Sequence, residues 1–84
     1  MPELLVGTIS DYFARVGVAG IELTGTLKVG DVIHIKGHTT DVQQPVASME
    51  IDRQPVPQAT AGQSIGVRVQ ERVRRGDQVY KVMD

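Results

Sequence analysis

The segment Gly62-Gln63-Ser64-Ile65-Gly66 places a serine between two glycines, with the spacing of a hydrolase nucleophile turn. A catalytic serine needs a strained turn between a strand and a helix, and a histidine base within hydrogen-bond reach. Here the segment instead opens an alternating stretch typical of a β-strand. The chain has 84 residues, which is too short for a hydrolase sheet. We therefore interpret the segment as a glycine turn leading into a strand, and predict that Ser64 is not catalytic.

Two further patterns resemble ligand sites. His34 and His38 carry metal-ligating side chains, but four residues of extended strand span about 13 Å, which exceeds the ligand sphere of one ion. Residues 25–30 have the glycine spacing of a phosphate loop, yet Asp31 follows where that loop needs a lysine. We predict that this chain binds no metal, no cofactor and no nucleotide.

The densest cluster of charge is basic, and it consists of Arg68, Arg72, Arg74 and Arg75. Residues 1–67 hold four basic and seven acidic side chains, whereas residues 68–84 hold five basic and three acidic ones. Arginine pairs well with phosphate oxygens, so this basic edge could contact RNA. A solvated edge that prevents sheets from aggregating would account for the same residues. The net charge of −1 argues against a strongly basic nucleic-acid binder.

Valine and isoleucine are plentiful, and no stretch keeps a helical period beyond two turns. Glycine turns separate short alternating segments, and this pattern predicts an all-β barrel rather than βαβ units. The longest break is residues 54–62, where one helical turn could form at residues 57–60. The six predicted strands cover about Leu4–Tyr12, Val16–Thr24, Val32–Lys36, Asp41–Ile51, Ser64–Gln70 and Gln78–Met83.

The composition sets further limits on the class of protein. Cysteine is absent, so neither disulfides nor a thiolate zinc site can stabilise the fold. Met1-Pro2-Glu3 opens acidic, so we expect no secretory leader, and no run approaches the roughly 18 apolar residues of a membrane span. We expect one domain over residues 1–84, located in the cytoplasm and without a membrane contact.

Four segments together resemble domain 2 of the translational GTPases, such as elongation factor Tu and initiation factor two. They cover residues 25–35, 46–51, 61–67 and 73–79, in the same order and at similar spacing. Thr39-Thr40-Asp41 and Ser48-Met49 make the chain similar to small stand-alone proteins of the translation elongation factor-like group. A similar barrel also forms the C-terminal module of some collagenase-like peptidases.

The resemblance to the GTPases implies a closed, six-stranded, mainly antiparallel β-barrel of the reductase and elongation-factor type. It also implies contact with the aminoacyl end of transfer RNA or with ribosomal RNA. Glu50 matches a glutamate that lines the pocket for the terminal adenosine in elongation factor Tu. The GTPase domain itself has no counterpart in these residues, so the resemblance carries no GTP hydrolysis.

We therefore predict a non-enzymatic binding module that contacts RNA or a translation-related assembly. The predicted RNA-binding residues are the basic edge, Arg68, Arg72, Arg74 and Arg75, together with Glu50. The alternative is a protein–protein adaptor module that docks onto a separate enzyme, such as a collagenase-like peptidase.

Overall fold

A computed structural model describes residues 2–83, and within that range the chain forms ten β-strands and no helix. The all-β expectation is confirmed. No helix in this range is therefore long and apolar enough to cross a membrane. The strands are β1 (Glu3–Phe13), β2 (Val18–Leu23), β3 (Leu27–Lys28), β4 (Val32–Lys36), β5 (Asp41–Pro45), β6 (Met49–Ile51), β7 (Gln54–Pro55), β8 (Gln58–Ala59), β9 (Ser64–Arg68) and β10 (Gln78–Val82).

Eight of these strands form one antiparallel sheet in the order β5-β4-β10-β1-β2-β9-β6-β7, and β3 pairs with β8 separately. The predicted closed six-stranded barrel is not found among residues 2–83, where the sheet is open and has β5 and β7 at its edges. The segment predicted as a single strand over Asp41–Ile51 instead divides into β5 and β6, two strands that lie near opposite ends of the open sheet. The backbone of Val46 there bonds to Gly30 and Asp31, in the β3–β4 turn.

The long break after β6 also differs from the prediction. No helical turn forms at residues 57–60, because β8 occupies part of that segment and pairs with β3. Val29 donates its N–H to the carbonyl of Pro57 at 3.0 Å, which extends the contact between the two segments. The extended backbone that prolines favour therefore ends in short strand pairs.

Strand β1 is irregular at two positions, and this decides which of its side chains enter the core. Its register shifts against β10 between Leu5 and Gly7, and against β2 between Ile9 and Asp11. A β-bulge places one additional residue on one strand and changes the alternation of faces. As a result Val6 and Ile9 are both buried, while Leu5 is exposed, although simple alternation places Leu5 with Ile9.

The core is built from aliphatic side chains that alternate along the longer strands. Valine and isoleucine suit this arrangement because they pack well on a pleated surface. Both β4 and β9 show the alternation predicted for them, with every second residue buried. The largest fully buried side chains are Ile9, Ile21, Leu27, Ile33, Ile35 and Met49.

One buried polar side chain joins the edge strand β5 to the other half of the sheet. Gln44 points inward and is 4% exposed. Its Nε2 donates to the carbonyl of Arg68 at 2.9 Å, and its Oε1 accepts from the N–H of Gln70 at 2.8 Å. The carboxamide has the donor and acceptor of a peptide group, so it supplies a backbone-like link between β5 and the end of β9.

On the outer face, His34 links three strands. Its Nδ1 lies 2.7 Å from Glu3 Oε2 on β1, and its Nε2 lies 2.5 Å from Asp41 Oδ1 on β5. Carboxylates only accept hydrogen bonds, so two of them favour the imidazolium form, in which both ring nitrogens donate. The hydrogen bonds that His34 donates to Asp41 and, with a smaller effect, to Glu3 raise the pKa of His34 above its ordinary value of 6.5.

The Gln44→Ala variant tests the link between β5 and β9. Its loss leaves a carbonyl and an N–H without their partner, and we expect the free energy of unfolding to fall by about 2–3 kcal/mol. Gln43→Ala, at an exposed position on the same strand, is the matched control and should change that energy by less than about 0.5 kcal/mol. Urea denaturation monitored by circular dichroism measures both. Equal stabilities for the two variants would contradict this role of Gln44.

The His34 cluster makes stability depend on pH. Because the pKa of His34 is raised on folding, its contribution is complete below about pH 6.5 and is lost as pH rises through the folded-state pKa. The contribution of these partly solvated pairs should be at most about 1 kcal/mol. Urea midpoints measured between pH 6 and pH 9 should therefore fall more for the wild type than for His34→Gln. His38→Gln, at an exposed turn position, should keep the wild-type profile, and parallel profiles for all three proteins would refute the assignment.

Candidate functional site

The outer face of the β1-β2-β9-β6 region is hollowed by an open groove of about 790 Å³. Ligand sites commonly enclose about 300–1,000 Å³, so the groove is large enough for several side chains of a partner. It extends from the β1–β2 turn to the β6–β7 turn. The floor comes from the strands, and the two turns form its ends.

The floor is a row of paired residues that crosses four strands. Asp11 on β1 pairs with Gly20 on β2, Gly20 pairs with Gly66 on β9, and Gly66 pairs with Glu50 on β6. The row therefore has two glycines at its centre and a carboxylate at each end. Neighbouring strands lie about 4.8 Å apart, so the outer two positions are separated by about 14 Å along the sheet.

The two floor glycines keep the surface low. A Cβ at Gly20 would lie 3.1 Å from Ser10 Oγ, and one at Gly66 would lie 3.3 Å from Val18 Cγ1. Both contacts are tight, but both are made by side-chain atoms rather than by backbone. Glycine within a strand costs about 0.5–1 kcal/mol relative to alanine, and it often marks a position where another chain approaches closely.

One end of the groove is apolar. Phe13 and Val16, at the β1–β2 turn, are 52% and 53% exposed, and Val18 lies beside them at the start of β2. Arg15 stands between the two exposed residues in sequence. A partner that binds at this end would cover apolar surface that is exposed to water in the free chain.

The other end is a two-residue hairpin turn with an unfavourable residue in it. Asp52 and Arg53 both have positive φ, of 50° and 66°. A turn of this shape favours Asp-Gly or Asn-Gly, because residues with a Cβ rarely adopt positive φ. Arg53 therefore occupies a position where glycine would be relaxed, and it places a guanidinium at the rim of the groove.

The charges around the groove have both signs. Asp11, Glu50 and Asp52 outnumber Arg15 and Arg53. Asp11 faces Arg75, whose Nη2 lies 4.0 Å from Asp11 Oδ2, whereas Glu50 has no ion-pair partner within 4.0 Å among residues 2–83. A surface with this balance suits a partner with mixed charge better than a polyanion.

The predicted RNA-binding residues have different surroundings in the structure. Arg68 ends β9 and lines a small hollow beside the groove together with Glu50. Arg72 and Arg74 are exposed in the loop before β10 and line neither hollow. Arg75 turns back to β1, where its Nε donates to the carbonyl of Ser10 at 3.0 Å.

The geometry assembles no nucleophile and base from Ser64 and His34. Three strands lie between β9 and β4 in the sheet, and both ring nitrogens of His34 are bonded to other residues, Glu3 and Asp41. Residues 2–83 contain no group of three metal-ligating side chains close enough to hold an ion. Asp31 accepts the N–H of Lys28 at 2.9 Å, so the stretch with the phosphate-loop spacing is a carboxylate-capped turn.

Sequence reasoning missed Phe13, Gly20, Gly66 and Arg53 as site residues. A signal existed for Phe13, because it directly follows Tyr12 at the end of the predicted first strand, and adjacent side chains of an extended segment point to opposite faces. The pairing of Gly20 with Gly66 depends on strand register, which no local pattern reveals.

No family model matches the chain. An uncharacterised protease of Methanocaldococcus jannaschii is 42% identical over 79 residues, which cover 93% of this chain and 19% of that protein. A collagenase of Porphyromonas gingivalis is 42% identical over 81 residues, covering 94% and 20%. A second Porphyromonas gingivalis collagenase is 44% identical over 78 residues, covering 90% and 22%. The chain thus spans about a fifth of the length of these relatives.

A solved structure shows the same fold. It is the C-terminal domain of a Geobacillus thermoleovorans protein assigned to the U32 peptidases, with a TM-score of 0.89 at 14% sequence identity. The similarity covers 95% of this chain and 93% of that domain. At this identity the comparison concerns the fold alone.

These comparisons overturn the predicted relationship to translation factors. The relatives are peptidases and collagenases, and the similar structure is a peptidase domain rather than a domain of a translational GTPase. The elongation-factor assignment, and the RNA-binding role in protein biosynthesis drawn from it, are therefore wrong. The alternative of a module that docks onto a peptidase is better supported.

The strained turn at one end of the groove gives a testable stability effect. Arg53→Gly should raise the free energy of unfolding by up to about 1 kcal/mol, because glycine adopts positive φ without a Cβ penalty. Arg53→Lys keeps the same penalty and should leave the free energy of unfolding within about 0.5 kcal/mol of the wild type. Thermal and urea unfolding measure both variants. A destabilised Arg53→Gly protein would show that the arginine side chain supports the turn.

Proposed function

We propose that this chain acts as a non-catalytic accessory module that docks onto the catalytic part of a collagenase-like peptidase. The observation that carries the proposal is the unequal coverage of the sequence matches, which include nearly all of this chain but a small part of each relative. Between 90% and 94% of this chain aligns with each relative at 42–44% identity, yet only 19–22% of each relative is covered. The matched region therefore corresponds to one discrete part of a larger protein.

The arrangement of polar side chains supports a binding role rather than a catalytic one. Both ring nitrogens of His34 are bonded to Glu3 and Asp41, and three strands lie between β4, which carries His34, and β9, which begins at Ser64. A general base must reach its nucleophile at about 2.6–3.2 Å. The open groove, with apolar and charged ends, offers a surface for another polypeptide.

A domain exchange tests the proposal directly. The matched 81 residues of the Porphyromonas gingivalis collagenase would be replaced by this chain, and collagen cleavage compared with the intact enzyme and with a deletion of the same residues. We expect the deletion to lose most activity and the exchange to restore it to within about tenfold, a difference of about 1.4 kcal/mol in transition-state stabilisation.

The Ser64→Ala exchange is the control for catalysis, and it should cleave collagen as fast as the unmodified exchange. An exchange protein that folds but is no more active than the deletion would contradict the docking function. Loss of activity in a folded Ser64→Ala exchange would instead indicate that this serine takes part in the reaction.

A further inference from the structure

We propose that the groove binds an extended peptide segment in which an apolar side chain is followed closely by a basic one. The apolar side chain would lie against Phe13, Val16 and Val18, and the basic one would pair with Glu50. The assignment of this segment to the catalytic part of a peptidase rests on the proposed function. The shape of the groove and its charges do not depend on that assignment.

The floor has the form that an extended backbone requires. Gly20 and Gly66 leave the centre of the row without side chains, so a partner backbone can lie directly on the sheet. The row is about 14 Å long, and an extended chain advances about 3.3 Å per residue, so roughly four residues fit between its ends. A helix about 10 Å or more across with its side chains would contact only the rims.

The apolar end determines where the larger side chain binds. Single exposed apolar residues are ordinary on protein surfaces, but Phe13 and Val16 flank the same hollow together with Val18. The remaining exposed large apolar residues among residues 2–83, Leu4, Leu5 and Val29, do not line the groove. An apolar side chain entering here displaces water from both sides of the hollow.

Glu50 determines the charge of the second side chain. Its Oε1 lies 3.9 Å from the point where a Cβ of Gly66 would stand, so the carboxylate leans over the glycine floor. Arg68 lines the neighbouring hollow but does not approach Glu50 within 4.0 Å. Asp11 is already opposite Arg75. Glu50 is therefore the floor carboxylate available to a lysine or arginine of the partner.

Two capped peptides serve as probes for the free 84-residue chain. Acetyl-Gly-Phe-Gly-Lys-Gly-amide has the proposed order of side chains, and acetyl-Gly-Phe-Gly-Glu-Gly-amide reverses the charge. Titration of ¹⁵N-labelled protein should shift the amide signals of Gly20, Glu50 and Gly66 with the lysine peptide. The glutamate peptide should bind at least about fivefold more weakly, as expected for one partly solvated ion pair.

Variants of the floor separate charge from shape. Glu50→Gln should weaken the lysine peptide about fivefold and remove the discrimination between the two peptides. Glu22→Gln, on β2 outside the groove, is the matched control and should bind like the wild type. Gly66→Val should block both peptides, and its amide spectrum establishes whether it is folded. Equal binding of the two peptides, shifts confined to Leu4, Leu5 and Val29, or no shifts at all would overturn the proposal.

A second measurement distinguishes this proposal from the proposed function. The Porphyromonas gingivalis collagenase without its matched segment would be titrated with the wild-type chain and with Glu50→Gln. Weaker binding of the variant supports the groove as the docking surface. If the wild-type chain and Glu50→Gln bind the truncated collagenase equally, the groove is not the docking surface, although the docking function stands. If the peptides bind in the groove but neither protein binds the truncated collagenase, the docking function alone is refuted.

Discussion

The fold depends on Gln44, which links the edge strand β5 to the end of β9 on the other side of the core. The ladder of strands ends at β5, which has no further strand on its outer edge. Gln44 reaches across with a side chain shaped like a peptide group and satisfies both Arg68 and Gln70. The aliphatic core is thereby enclosed without a further strand. A buried amide with all its partners present supports such a link, whereas an unpaired one would oppose it.

The same link has a consequence for the outer face. By holding the end of β9, Gln44 anchors the strand that carries Gly66 and Arg68. The inner residues of that strand, Ile65 and Val67, are buried in the core, so the outer residues cannot rotate inward. The position of the glycine row on the outer face of the sheet is therefore fixed by the core residues on the inner face of the same strands. A rigid strand is a better support for a binding surface than a mobile loop.

Alternation in the sequence predicts β4 and the buried face of β9, because each strand has one face in the core. The two irregularities of β1 were not predictable, since a bulge depends on how many partner residues stand opposite. The candidate site is harder still to predict from the sequence, because its residues come from four strands and two turns. The density of basic residues predicted an RNA-binding edge that included Arg75, but the Arg75 side chain bonds to the carbonyl of Ser10 on β1.

The resemblance to translation factors was carried by turns and valine-rich strands, and these features serve the fold. A glycine with positive φ is required at Gly30, Gly62 and Gly76 whatever the domain binds. Such motifs in the right order therefore indicate a type of β domain, which many unrelated functions share. The proposed binding role rests instead on exposed residues between them, such as Phe13 and Arg53, where no turn geometry requires the side chain. Identity of 42–44% over 90–94% of the chain is a more specific likeness than these motifs, and for that reason it outweighs them in relating this chain to one part of a protease and two collagenases.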